Sequence, residues 1–182
     1  MRTPWNLARA AAAALAGSNP AQSFAFTRYG RPLVVSLGRE GTAQTLPPPP
    51  RAVLSLDDAA DGGTSASTLR LGLGLLVPSH VDPDTGGDRD PSKPALAPAG
   101  FREIGDGAGA LALARLCADT VAAALEPHGV FLESRAFNPF IGQPAGDVVT
   151  CSLSFTLALG LFGPAEDPGQ PDEIRTPRPP EP

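Results

Sequence analysis

Thr150 opens a run, TCSLSFTLALGLF, in which every second residue from Cys151 to Leu161 is apolar and the residues between are mostly small or hydroxylic. Period two is what a strand with one buried and one uncovered face requires, so VVTCSLSFTLALGLF predicts the longest strand of the chain. The same period recurs in TLRLGLGLLV, where Leu69, Leu71, Leu73, Leu75 and Val77 share one face and Arg70, Gly72 and Gly74 the other. A face carrying two glycines is thin or closely approached. RAVLSLDD and GVFLESRAF predict two more strands, with NPFIGQPAGD connecting the second of them to the long last one. SFAFTRYG and LVVSLG together predict a hairpin or bent strand over Phe24 to Leu37.

Two segments follow a helical pattern instead. Trp5 to Ala16 is rich in alanine, the best helix former, and Gly17-Ser18-Asn19-Pro20 ends it. Ala108 to Leu125 is amphipathic, with Leu113, Leu116, Cys117, Thr120, Val121 and Ala124 at i, i+3, i+4, i+7 spacing, and Pro127 and Gly129 end it. Such a helix lies across a sheet. The order predicts an α+β domain over residues 1–163, a mainly antiparallel sheet with two helices packed on one face. Pro47 to Pro50 is a stiff spacer that cannot pair inside a sheet. His80 to Gly105 is a Pro- and Gly-rich excursion longer than loops of compact domains usually are, and 164–182 is a Pro-rich tail too poor in apolar residues to fold by itself.

Composition narrows the functional classes. The 182 residues suit one domain and show no internal repeat. Thirteen arginines against the single Lys93 reflect GC-rich coding, which also accounts for some of the 22 prolines. A formal charge of -5 and a pI near 4.9 argue against wrapping nucleic acid, although an acidic channel past which DNA slides fits them. Cys117 and Cys151 fall on apolar faces, form no disulfide framework, and point to a cytoplasmic origin. The basic, alanine-rich start reads as a retained first helix rather than a signal peptide. No stretch reads as the roughly 20 apolar residues of a membrane span.

Candidate chemistry is sparse. GDGAGALALARL sets Gly105, Gly107 and Ala110 at dinucleotide-fingerprint spacing ahead of a helix, with Glu133 ending the next strand. FREI is a poor preceding strand and Glu133 comes late, so nucleotide binding at Gly105–Ala110 is the alternative rather than the leading expectation. Asp82, Asp84, Asp88 and Asp90 approach a calcium loop, but Gly86 and Lys93 stand where ligands are needed. His80 and His128 sit at element ends, and no GxSxG, Walker or HExxH motif occurs. The single Trp5 and Tyr29 and the phenylalanines read as packing groups, not a base-stacking platform. No catalytic, cofactor or metal residue is therefore assigned.

The arrangement resembles the tail-terminator proteins of long-tailed bacteriophages, including those of lambda-like and Mu-like phages. The likeness is carried by LARAAAAALAG, TLRLGLGLLV, and LARLCADTVAAALEPHGVFLES followed by VVTCSLSFTLALGLF, and covers most of the chain. It implies a structural virion protein, assembled in the bacterial cytoplasm, whose subunits close into a sixfold ring on the tail tube. Its implied partners are further copies of itself, the tail-tube protein, the neck or connector protein, and DNA passing through without sequence-specific binding; it implies no membrane and no catalytic residues. The excursion His80 to Gly105 and the C-terminal tail fit another head-tail connector or tail-tube-associated protein equally well, and a cytoplasmic interaction module unrelated to phage is the blander alternative.

Overall fold

A computed structural model describes residues 3–38, 48–60, 67–78, 106–141 and 146–157. Three helices, α1 (Pro4–Ala16), α2 (Asn19–Tyr29) and α3 (Gly107–Leu125), accompany strands β1 (Val34–Leu37), β2 (Arg51–Ala60), β3 (Ser67–Val77), β4 (Val130–Phe140) and β5 (Asp147–Leu157). The strands form one mixed sheet in the order β1-β2-β3-β5-β4. β1 runs parallel to β2, and the other three pairings are antiparallel. β5 lies between β3 and β4, which are therefore parallel to each other, and α3 belongs to the crossover that joins them.

The alternation that predicts the strands also sorts the core. On β3 and β5 the odd-numbered residues are buried without exception, from Ser67 to Val77 and from Asp147 to Leu157. Ala52 and Leu54 of β2 join them. From above, Leu7, Ala8, Ala11 and Leu15 of α1 and Leu113, Cys117, Val121 and Leu125 of α3 close one cluster. α1 lies over β1 and β2, while α3 lies over β3, β5 and β4. Leucine dominates, and Phe155 is the largest buried side chain; each such residue contributes about 1.5–3 kcal/mol by leaving water.

Phe24 to Leu37 departs from the expectation of a hairpin. Residues 19–29 are helix α2, and only Val34–Leu37 is strand, so three helices stand where two were expected. Gly17 ends α1 and Ser18 caps α2, its hydroxyl accepting from the Ala21 N–H, with proline in the first turn. Gly30 closes α2 in the left-handed conformation at φ 68°. The buried positions are Ala21 and Ala25, four apart, whereas Phe26 points to solvent. Of the two phenylalanines that imitate a strand pattern, Phe24 is half-buried against the core and Phe26 does not pack at all. Gln22 fixes the exit from α2: its Nε2 donates to the Leu33 carbonyl and its Oε1 accepts from the Leu33 N–H, both at 2.9 Å.

Two boundaries also move. β2 continues two residues past RAVLSLDD to Ala60, with a register shift between Leu56 and Asp58. β4 runs on through Asn138, Pro139 and Phe140, which read as connection; a proline is tolerated there because β4 is an edge strand among the described residues. Gly146, at φ 127°, enters β5 where a side chain would drive a Cβ into the Val77 carbonyl oxygen.

Gly107–His128 is long and apolar enough to cross a membrane by length and composition, contrary to the sequence expectation. Packing supplies the reason. α3 meets the sheet on one side and α1 and α2 on others, so alanine and leucine occupy most of its circumference without any lipid contact being needed. The His80–Gly105 excursion except its neighbour Asp106, the Pro47 end of the spacer, the end of the predicted last strand beyond Leu157, and the 164–182 tail lie outside the described residues.

Candidate functional site

The helices cover one face of the sheet, and the registers lay out the other row by row. Val34, Arg51, Leu76, Val148 and Phe140 form one row across all five strands. Ser36, Val53, Gly74, Thr150 and Asn138 form the next, then Ser55, Gly72, Ser152 and Ala136, then Asp58, Arg70, Ser154 and Ser134. One end is thus apolar but for Arg51, the middle is small and hydroxylic, and beyond it lies a cross-strand pair of opposite charges.

Over the middle rows runs an open trough of about 550 Å³. Its floor is low because Gly72 and Gly74 present no side chain, as the LGLGL alternation implies. Its rim on β2 carries Arg51, Ser55 and Asp57. Ser55 Oγ donates to Asp57 Oδ1 at 2.6 Å and leans over Gly72, where a Cβ would lie 2.5 Å from that Oγ. This is a groove with one cationic and one anionic rim group over a floor of glycine and hydroxyl side chains.

Among the described residues four large hydrophobics are exposed: Trp5 (43%) on α1, Phe26 (63%) on α2, and Phe131 (54%) and Phe140 (52%) on β4. Phe131 and Phe140 pair with Thr156 and Val148, on the uncovered face. β4 carries features that discourage strand-to-strand pairing: a register shift between Leu132 and Ser134, Pro139, exposed Glu133, and Arg135 ion-paired to Asp119 of α3.

A buried polar cluster ties the helical layer to the sheet. Asp106, the N-cap of α3, accepts from the Gly109 N–H at 3.1 Å, from Arg28 Nε at 3.0 Å and Nη2 at 2.6 Å, and from the Tyr29 hydroxyl at 2.9 Å. Its own N–H donates to the buried Asp147 carboxylate at the start of β5. Burial by itself raises the Asp106 carboxyl, but the bonds from Arg28 and Tyr29, the Arg28 charge and the Gly109 N–H outweigh it and hold it below its ordinary 3.8. Burial, then the adjacent Asp106, push the Tyr29 hydroxyl far above its ordinary 10.0. An aspartate immediately ahead of an apolar run is an N-cap signal that the sequence carries, overshadowed by the glycines around it.

The described glycines of this segment, Gly107 and Gly109, do not build a phosphate cradle. The Asp106 carboxylate already occupies the N-terminus of α3, where a pyrophosphate would have to sit. Gly107 packs against Ile141, with a hypothetical Cβ 3.3 Å from its Cγ1, Ala110 is fully buried, and Gly105 lies outside the described residues. Glu133 is on an edge strand separated from β3 by β5. His128 ends the 3-10 turn after α3. Burial lifts the Cys117 thiol to about 12, with Cys151 adding to it, and lifts Cys151 to about 11 against the opposing Arg135 charge; both are buried, unbridged and poorly reactive. His80, Asp82, Asp84, Gly86, Asp88, Asp90 and Lys93 lie outside the described residues. Among the described residues no three His, Cys, Asp or Glu side chains gather as a metal-binding group. No family model matches this sequence, and neither does any curated protein.

Proposed function

We propose that the protein acts by assembly: a tail-terminator-type virion component whose copies close into a ring that caps a tail tube and meets the neck on its other side. The observation that carries this reading is the one-sided sheet. Helices seal one face, while the other presents a trough floored by glycine and hydroxyl side chains and exposed Phe131 and Phe140 at its margin. Exposed apolar groups beside a shaped, uncharged floor are what a protein contact uses. A ring also needs repeated, self-compatible surfaces and no reactive centre. DNA would pass such a ring without being read.

Light scattering after size exclusion, followed by negative-stain microscopy, tests the proposal. The expected result is a ring of fixed stoichiometry that sediments with tail tubes and sits at their ends. A chain that stays monomeric and never associates with tubes overturns it. Binding along the tube wall would indicate a tube-associated role in place of a cap.

A further inference from the structure

The four exposed large hydrophobics among the described residues lie on the helices α1 and α2 and on β4, whose surroundings differ in charge. The described N-terminal segment, residues 3–38, carries Arg9, Arg28 and Arg31 and no acidic residue. Arg28 is committed to Asp106, leaving the exposed Arg9 and Arg31 to set the sign of this layer. Trp5 and Arg9 are four apart on α1, hence neighbours on one solvent-facing stripe. Around β4 the balance reverses. Arg135 is tied to Asp119, and exposed Glu133 and Glu126 flank Phe131 in the sequence.

Neither surface suits contact with its own copy. Two outer faces of α1 and α2 set against each other would oppose Arg9 and Arg31 to their own copies, and residues 3–38 supply no carboxylate between them. Two β4 strands meeting edge to edge would have to accommodate the bulge, Pro139 and a charged pair at the centre. The remaining combination is complementary, aromatic against aromatic and arginine against glutamate. Resting on the assembly reading above, we propose that copies of this chain associate head to tail, the outer face of α1 and α2 of one copy docking on the β4 margin of the next. Such a heterologous contact generates a ring when its rotation closes, whereas an isologous one stops at a dimer.

A mixing experiment on the full chain tests the proposal. One variant, Arg9→Glu/Phe26→Glu, disables the helical surface; the other, Phe131→Lys/Glu133→Lys, disables the β4 surface. All four positions are exposed, and far-UV circular dichroism checks that each variant folds. Light scattering is expected to give an oligomer for the natural sequence and a single-chain mass of 18.6 kDa for each variant alone. An equimolar mixture is expected to form a dimer and nothing larger, because one intact contact remains per pair. Should a double variant misfold, the single reversals Arg9→Glu and Glu133→Arg replace it: each weakens assembly and their mixture restores it in part. If the oligomer survives in both variants, the ring reading stands and this interface is wrong. If only the β4 variant dissociates and mixing gives no dimer, the contact is isologous through β4. A natural chain that is monomeric at all concentrations removes both proposals together.

Discussion

Gly109→Ala distinguishes the capping cluster from ordinary helix propensity, because the two predict opposite signs. In an exposed helix interior the change stabilises by up to about 1 kcal/mol. Here the new methyl would lie 2.7 Å from Asp106 Cγ and Oδ1, and closer to Oδ2. That carboxylate cannot step aside freely, since Arg28 and Tyr29 hold it. Moving it forfeits a helix cap worth about 1 kcal/mol and strains hydrogen bonds to a charged group worth about 1.5–3 kcal/mol each. Arg28 is one-third exposed and regains water, so its share falls toward the low end. A net loss of about 3 kcal/mol follows for Gly109→Ala, and a similar loss for Asp106→Ala.

The double variant is the decisive measurement. With the carboxylate gone the methyl has room, so Gly109→Ala added to Asp106→Ala should be neutral or stabilising by up to about 1 kcal/mol. A coupling of about 3 kcal/mol therefore separates the double variant from the sum of the singles. Urea unfolding followed at 222 nm reads it, with constant m-values as the condition for comparing midpoints. Strict additivity, or a Gly109→Ala chain as stable as the natural one, would refute the steric account.

Three other consequences of the same structure are open to measurement. Because the folded Asp106 carboxyl is held below 3.8, its contribution is present above that value and shrinks as pH falls toward the folded value; the stability gap between the natural chain and Asp106→Asn should narrow from pH 6 to pH 3, and a constant gap counts against it. Tyr29 is the single tyrosine, so absorbance at 295 nm reports it alone. With its folded pKa raised above 10.0, its contribution is present below pH 10 and is lost as pH rises beyond it, so phenolate should appear together with loss of helix and not before. Cys117 and Cys151 should ignore a thiol reagent at pH 8 in the native state and both react in urea; fast labelling of either in the native protein would show that the seam between α3 and β5 opens.

β3 and β5 were legible because packing on one side imposes a period that nothing else mimics, and α3 because Leu113, Cys117 and Val121 recur at helical spacing. Leu69 to Val77 and Cys151 to Leu157 lie side by side with their apolar faces toward α3, although Leu116, expected on its buried stripe, is only partly covered. α2 was illegible because its fully buried residues are alanines, which carry no hydrophobic contrast, while the half-buried Phe24 and the exposed Phe26 stand two apart and imitate a strand. The capping serine and Pro20 held the correct answer, read instead only as the end of α1. The thin face at Gly72 and Gly74 could be anticipated from LGLGL. The Arg28–Tyr29–Asp106–Asp147 cluster could not, because it joins residues far apart in the chain whose meeting depends on the sheet order.

In the head-to-tail contact proposed above, that cluster would also link folding to assembly. α2 buries only two alanines and a share of its partly covered side chains, so its position depends on a few polar anchors: Ser18 to Thr120, Gln22 to Leu33, and Arg28 and Tyr29 to Asp106. Two anchors end on α3 and one on the lead-in to β1, which fixes α2 against the parts of the fold that rest on the sheet. Phe26 lies two residues before Arg28 on that helix, so the electrostatics that cap α3 also set where the exposed aromatic stands. The docking surface proposed on this weakly buried helix would need such external bracing, since contact with a neighbour requires a fixed geometry and apolar burial here is too slight to provide it.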